Sequence, residues 1–259
     1  MKSVLKYLIL ATSALGGVWS APMAEAAPAD ALKGKNVVLV HGAFADGSSW
    51  DKVIALLQAK GLHVVAVQNP LTSLKDDVAA THRVIEQQNG PVILVGHSWG
   101  GVVITQAGID DKVKALVYVA AFAPDRGQSV NDMLKGLPAP PWGASLEKDS
   151  AGFLTLSTDA VLHYLSQDLP AAQGRVIAAT QGPWFSGCLD DKVTEAAWHG
   201  KPTWDVVTQK DYIIPTALQE AMAKQMKATV VKADSSHLAM VSKPDQVVAA
   251  IVAAAEAAN

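Results

Sequence analysis

Val92-Ile93-Leu94-Val95-Gly96-His97-Ser98-Trp99-Gly100-Gly101 decides the fold. Its first four residues form an unbroken apolar run rich in β-branched side chains, which reads as a strand buried on both faces. The run stops at Gly96, and a helix-compatible stretch, Val102 to Ala107, follows at once. Gly-x-Ser-x-Gly lies between them, the pattern of a nucleophile elbow in which Ser98 occupies a strained strand-to-helix turn. Gly96 and Gly100 are glycine for a steric reason: across so sharp a turn a Cβ would meet the neighbouring strand or helix.

Outward from that point, strands and helices alternate. On the N-terminal side Val37 to Val40 is a buried strand. A helix then carries Trp50, Val53, Ile54 and Leu57 on one face. Val64 to Val67 is the next strand, and a helix from about Ser73 to Gln88 places Leu74, Val78 and Ile85 at helical spacing. On the C-terminal side Ala115 to Val119 is a strand. From Pro124 to about Lys201 the alternation breaks; Pro138, Pro140, Pro141, Trp142 and Gly143 mark a loop, while Thr158 to Leu165 and Ala171 to Thr180 read as helical. The alternation resumes with a strand from Trp204 to Thr208, a helix from Thr216 to Lys227, a strand from Thr229 to Val231 and a last helix from Pro244. Such alternation specifies an α/β fold, a mostly parallel sheet with helices on both faces. The interruption predicts an inserted helical cap over the C-terminal edge of the sheet. The expected division is therefore a core of 27–124 and 202–259 with the cap at 125–201.

The first 26 residues read as an export signal. Lys2 and Lys6 form a basic start, Tyr7 to Val18 an uncharged apolar run, and Ala24-Glu25-Ala26 a small-x-small cleavage site. The run is short for a bilayer span, so a periplasmic or secreted protein beginning at Ala27 is expected, with no membrane association after cleavage. About 230 residues then remain, ample for one α/β domain with an insertion. Half of the 259 residues are hydrophobic and 17% are charged, which excludes a disordered chain. A net charge of −3 without a basic cluster argues against nucleic acid as partner. Cys188 is the sole cysteine, so neither an internal disulfide nor a cysteine metal site is expected. No Walker pattern and no paired-histidine metal spacing occurs, and no cofactor is called for.

A serine hydroxyl needs a base, and the base needs an orienting group. Of seven histidines, His63 and His82 belong to early elements and His163 and His199 to the insertion. His41 and His97 flank glycine motifs and read as loop-shaping. His237 stands in Asp234-Ser235-Ser236-His237, directly after the last strand, where a parallel sheet gathers its ligands; it is the expected base. Two acids follow strand ends, Asp211 and Asp125, and chain order separates neither; spacing favours Asp211. An oxyanion hole needs two backbone N–H donors. Trp99, at a helix N-terminus, supplies one. Ala43, in the loop His41-Gly42-Ala43-Phe44, is the expected second, with Gly42 letting that backbone approach.

Four stretches carry a family resemblance: Val40 to Trp50, Val92 to Gly101, Tyr118 to Asp125, and Lys210-Asp211 with His237 to Pro244. Together they resemble the α/β-hydrolases, and within them the plant methylesterase and hydroxynitrile lyase group with its bacterial esterase relatives. The cap matches poorly. The resemblance implies Ser98 as nucleophile, His237 as base, Asp211 rather than Asp125 as acid, and Ala43 and Trp99 as oxyanion donors. It implies two-step hydrolysis of a small-molecule ester. Trp142, Trp184 and Phe185 in the cap either line a pocket or form cap core. Two other chemistries share the frame, a ligand receptor with vestigial turnover and cyanohydrin cleavage. The resembling lyases place a lysine directly after the histidine and a threonine at the position of Gly42; here Leu238 and Gly42 stand there, which favours the esterase.

Overall fold

The computed structural model describes residues 32–258. The expected export signal, and the Ala/Pro-rich leader after it, lie outside the described residues. β1 (Asn36–Val40) leads through α1 (Asp51–Ala59) to β2 (His63–Val67), and α2 (Leu74–Glu86) leads on to β3 (Val92–His97). α3 (Trp99–Ala107) connects β3 to β4 (Val113–Val119). The long connection from β4 to β8 (Thr203–Thr208) carries α4 (Val130–Leu134), β5 (Leu146–Lys148), β6 (Phe153–Leu156), α5 (Thr158–Ala160), α6 (Ala171–Thr180) and β7 (Trp184–Phe185). β8 (Thr203–Thr208), α7 (Thr216–Met226), β9 (Thr229–Ala233), α8 (Ala239–Ser242) and α9 (Pro244–Ala257) complete the chain.

Six strands form one sheet in the order β2-β1-β3-β4-β8-β9, and every pairing in it is parallel. β1, β3 and β8 are buried at every residue, as central strands of a sheet covered on both faces are. The chain steps one way from β1 to β2 and the other way from β2 to β3 to β4. Right-handed crossovers therefore put α1 on one face and α2 and α3 on the other. α1 packs with α9, and α2 with α3.

β2 is an edge strand with only Val67 buried, its outer side having no neighbouring strand among the described residues. Two expectations need correction. In α2 the buried stripe runs Leu74, Asp77, Thr81 and Ile85, while Val78 is only half-buried. A carboxylate thus faces the core where an aliphatic residue is expected. The β4–β8 connection is not purely helical either: β5, β6 and β7 make a separate three-stranded antiparallel sheet. At two to four residues each, these strands are too short for alternation to register.

Candidate active site

A parallel sheet delivers all its C-terminal strand ends to one edge. Between β1 and β3 the connections leave in opposite directions, which opens a crevice at that edge. The loop after β1 and the turn after β3 meet there. Ser98 holds φ 52° and ψ −121° between β3 and α3, in the left-handed half of backbone space. For a residue with a side chain this conformation costs on the order of 1–3 kcal/mol, so surrounding bonds must impose it. They do: the Ser98 carbonyl accepts from Gly101 N at 2.9 Å and Phe122 N at 3.2 Å, and Ser98 N donates to Val119 O at 3.3 Å. The glycines permit the approach. A Cβ on Gly100 would stand 2.4 Å from the Val40 carbonyl oxygen, and one on Gly96 2.5 Å from that of Gly100. A Cβ on Gly42 would stand 2.7 Å from the Ser98 Cβ.

The loops after β8 and β9 are tied by a bond from Lys210 N to Ser235 O at 3.0 Å. That tie brings Asp211 to His237, whose Nδ1 donates to Asp211 Oδ2 at 2.8 Å, with both side chains buried. In the neutral imidazole this leaves Nε2 as the free acceptor. Four further donors hold the Asp211 carboxylate. Ile213 N (2.8 Å) and Ile214 N (3.0 Å) reach Oδ1; Thr208 Oγ1 (2.8 Å) and Gln219 Nε2 (2.9 Å) reach Oδ2. Asp125 is elsewhere, near the surface, where His199 Nε2 lies 2.8 Å from its Oδ1. Burial is the largest single influence and raises its carboxyl, but His199, the Arg126 N–H and Gln225 together outweigh it and hold the carboxyl below the usual range.

His41 and His97 shape loops, and His97 does more. His41 Nε2 accepts from Asn69 N at 2.9 Å, so its Nδ1–H donates to Gly42 O at 2.8 Å, fixing the loop that carries Ala43. His97 Nε2 donates to the His237 carbonyl at 3.0 Å, and the two rings stand 4.7 Å apart. Burial, and then the neighbouring His237, push the His97 pKa well below the ordinary imidazole value, so it stays neutral. His97 therefore anchors the backbone of His237. Sequence reasoning missed this, and it also missed Thr208 and Gln219, whose residue types carry no signal away from their partners.

Ser98, His237, Ala43 and Trp99 line one cavity. Its remaining walls are apolar and include Phe44, Phe122, Leu165, Trp142 and Trp184. Of Trp142, Trp184 and Phe185, the two tryptophans thus face the cavity. Phe185 instead packs on Phe153, with ring centroids 5.4 Å apart. The arrangement joins a strained serine, an oriented imidazole and helix-start N–H groups in an enclosed apolar space. That is the equipment for nucleophilic acyl transfer.

Comparison with known proteins points the same way. The sequence profile of the alpha/beta hydrolase family matches residues 37–250. Methylesterase 2 of Arabidopsis thaliana is 29% identical over 241 residues, covering 81% of this chain and 92% of that protein. The crystal structure of a pyrethroid hydrolase from Sphingobium faniae JZ-2 superposes with a TM-score of 0.72 at 21% identity, covering 86% of this chain and 98% of the other. An extracellular α/β-hydrolase from a Paenibacillus species gives a TM-score of 0.73 at 21% identity, covering 85% and 98%.

Proposed function

The chain belongs to the alpha/beta hydrolase family, and on that premise we propose that it is a serine esterase working through an acyl-enzyme. Ser98 Oγ attacks the ester carbonyl carbon while His237 Nε2 takes its proton. The tetrahedral oxyanion is met by the N–H groups of Ala43 and Trp99. The C–O bond breaks, and the leaving alkoxide departs as the alcohol with the proton from Nε2. Water then adds to the acyl-Ser98 carbonyl, its proton passing to Nε2 and on to Ser98 Oγ as the acid leaves. Asp211 keeps the imidazole in the tautomer that leaves Nε2 free.

The observation that carries this reading is the buried 2.8 Å Asp211–His237 pair opening on the same cavity as Ser98. The apolar walls favour a neutral small-molecule ester with a compact acyl or alcohol group. Cyanohydrin cleavage fits poorly: a threonine at position 42 would press its Cβ on that of Ser98, and Leu238 is buried and uncharged. We also take residues 125–201 as a cap between the two core segments, and residues 1–26 as an export signal that sends the protein to the periplasm or the medium. Among the described residues no helix is long and apolar enough to cross a membrane.

The test is a series of p-nitrophenyl esters of rising chain length together with an organophosphonate. Many turnovers and covalent labelling at Ser98 are expected, and Ser98→Ala should lose both, kcat falling on the order of 10⁶-fold. A single burst followed by silence would identify a receptor. Cyanide release from mandelonitrile without ester turnover would identify a lyase.

A further inference from the structure

A buried carboxylate outside the Ser98–His237–Asp211 set sits against the residue that follows the nucleophile. Asp77, in the first turns of α2, is fully buried. Its Oδ2 accepts from the indole Nε1–H of Trp99 at 2.7 Å, and its Oδ1 from Leu71 N at 2.8 Å. One side chain therefore grips two strands of chain at once. Trp99 begins α3, where the first N–H groups have no intrahelical acceptor and face the crevice. Leu71 is held at φ 59°, a left-handed conformation that an aliphatic residue adopts only under constraint.

Both grips lead to the cavity. The Leu71 carbonyl accepts from Phe185 N at 2.9 Å, docking β7 of the β4–β8 connection. β7 also carries Trp184, whose ring stands 5.4 Å from that of Trp99 and 5.9 Å from that of Phe44. Asp77 is thus bonded to the indole that floors the cavity and, one hydrogen bond further, to the strand that walls it.

We propose that Asp77 is the positioning residue of the oxyanion hole, holding Trp99 in register with Ser98 and the cavity wall in register with both. The proposal rests on the serine hydrolase reading above. Its physical basis is that an ionised carboxylate offers a full acceptor to each of the two donors. An amide must turn its NH2 group toward one of them, and a neutral acid meets one of them with only its weaker hydroxyl oxygen. The charged groups acting on Asp77 are Asp76, from its own helix, and Asp191, from beyond β7; Cys188 lies beside it as a neutral thiol, pushed up to about 12 chiefly by burial. No cation is among them. Burial foremost, with the two anions adding to it and the two hydrogen bonds opposing, lifts Asp77 to about 6. It is ionised, and gripping both partners, above that pH.

The experiment compares Asp77→Asn, Trp99→Phe and the double variant in p-nitrophenyl acetate hydrolysis from pH 5 to 8, with Ser98→Ala alongside. Trp99→Phe keeps an aromatic ring but removes the pyrrole half of the indole with its N–H, and it leaves the Leu71 bond in place. At pH 8 each single variant should lose kcat by about tenfold or more, with KM within about threefold, a smaller loss than deleting an oxyanion donor outright. The double variant should be no worse than the poorer single, because both changes break the same contact. The ratio of wild-type to Asp77→Asn kcat should shrink as the pH falls below about 6, where the wild type itself acquires the neutral acid. Multiplying losses in the double variant, or a ratio constant with pH, would overturn the proposal. Should Asp77→Asn fail to fold, Trp99→Phe decides alone: wild-type kcat in that variant also overturns it. Activity surviving in Ser98→Ala would instead strike the esterase reading itself.

Discussion

At the scale of single residues, Asp211 and Asp125 separate by what surrounds them. Asp211 receives four donors besides His237, so its carboxylate is fixed while it orients the ring. Asparagine there would set an N–H against the His237 Nδ1–H or against the backbone donors. Asp211→Asn should accordingly fold and lose kcat by roughly 10⁴-fold, the effect of misorienting the histidine in a serine protease. Asp125→Asn should change kcat by less than about threefold, since its carboxylate faces His199 at the surface. Parallel measurements of kcat on the two variants check this, and reversed results would move the acid to Asp125. As candidates, Ser98, His237 and the glycines are marked in the sequence by a motif and a strand end. Asp77 left a fainter mark: it shares the helical face of Leu74, Thr81 and Ile85, a polar residue on an apolar stripe. Gln219 left none, since its role exists only once α7 has folded back onto the end of β8.

Among the elements, β8 holds a charge-bearing residue where strand chemistry has no use for one. Asp205 sits between Tyr118 of β4 and Val230 of β9 in the pairing register, is buried, and has an Oδ1 with no hydrogen-bond partner among the described residues. Burial alone pushes its pKa well above the ordinary carboxylate value. The folded state therefore keeps a proton that the unfolded chain releases near pH 4. The stability this proton confers is complete below that pH, and it is lost progressively as the pH rises toward the folded-state pKa. Asp205→Asn removes the titration. Its Tm should decline less between pH 5 and 9 than that of the wild type and exceed it at the alkaline end by a few degrees. Circular dichroism melts at both pH values measure this, and parallel declines would refute it. β1 to β4 were legible because each carries an apolar run bounded by turns, β8 and β9 because the alternation resumes there despite Asp205 and Lys232, and α1, α3, α7 and α9 because their apolar spacing exceeds two turns. Burial at the sheet edge was not, since an apolar run such as Val64 to Val67 reads alike in an edge and a central strand. Nor were β5 to β7, since strands of two to four residues give alternation no length in which to register.

For the molecule as a whole, alternation sufficed to reveal a parallel sheet, and a parallel sheet sufficed to say on which edge the site lies. Strand order was not readable, because neighbours such as β4 and β8 are separated in sequence by the whole of the long connection. That separation bears on how the protein comes to exist in time. Ser98 follows β3 and His237 follows β9, so neither can meet the other until β8 has docked on β4 and β9 on β8. Closing so long a loop is an entropic step that local helix formation does not share, and parallel pairings between distant segments are slow for that reason. Upon dilution from denaturant, far-UV ellipticity should recover ahead of hydrolytic activity, with helices present while the crevice is still unmade. A common rate constant for both would place the docking of β8 before the slow step. During synthesis, a ribosome that has released only the first half of the chain holds Ser98 without His237. On the proposed assignment such a chain is catalytically silent for as long as it is incomplete.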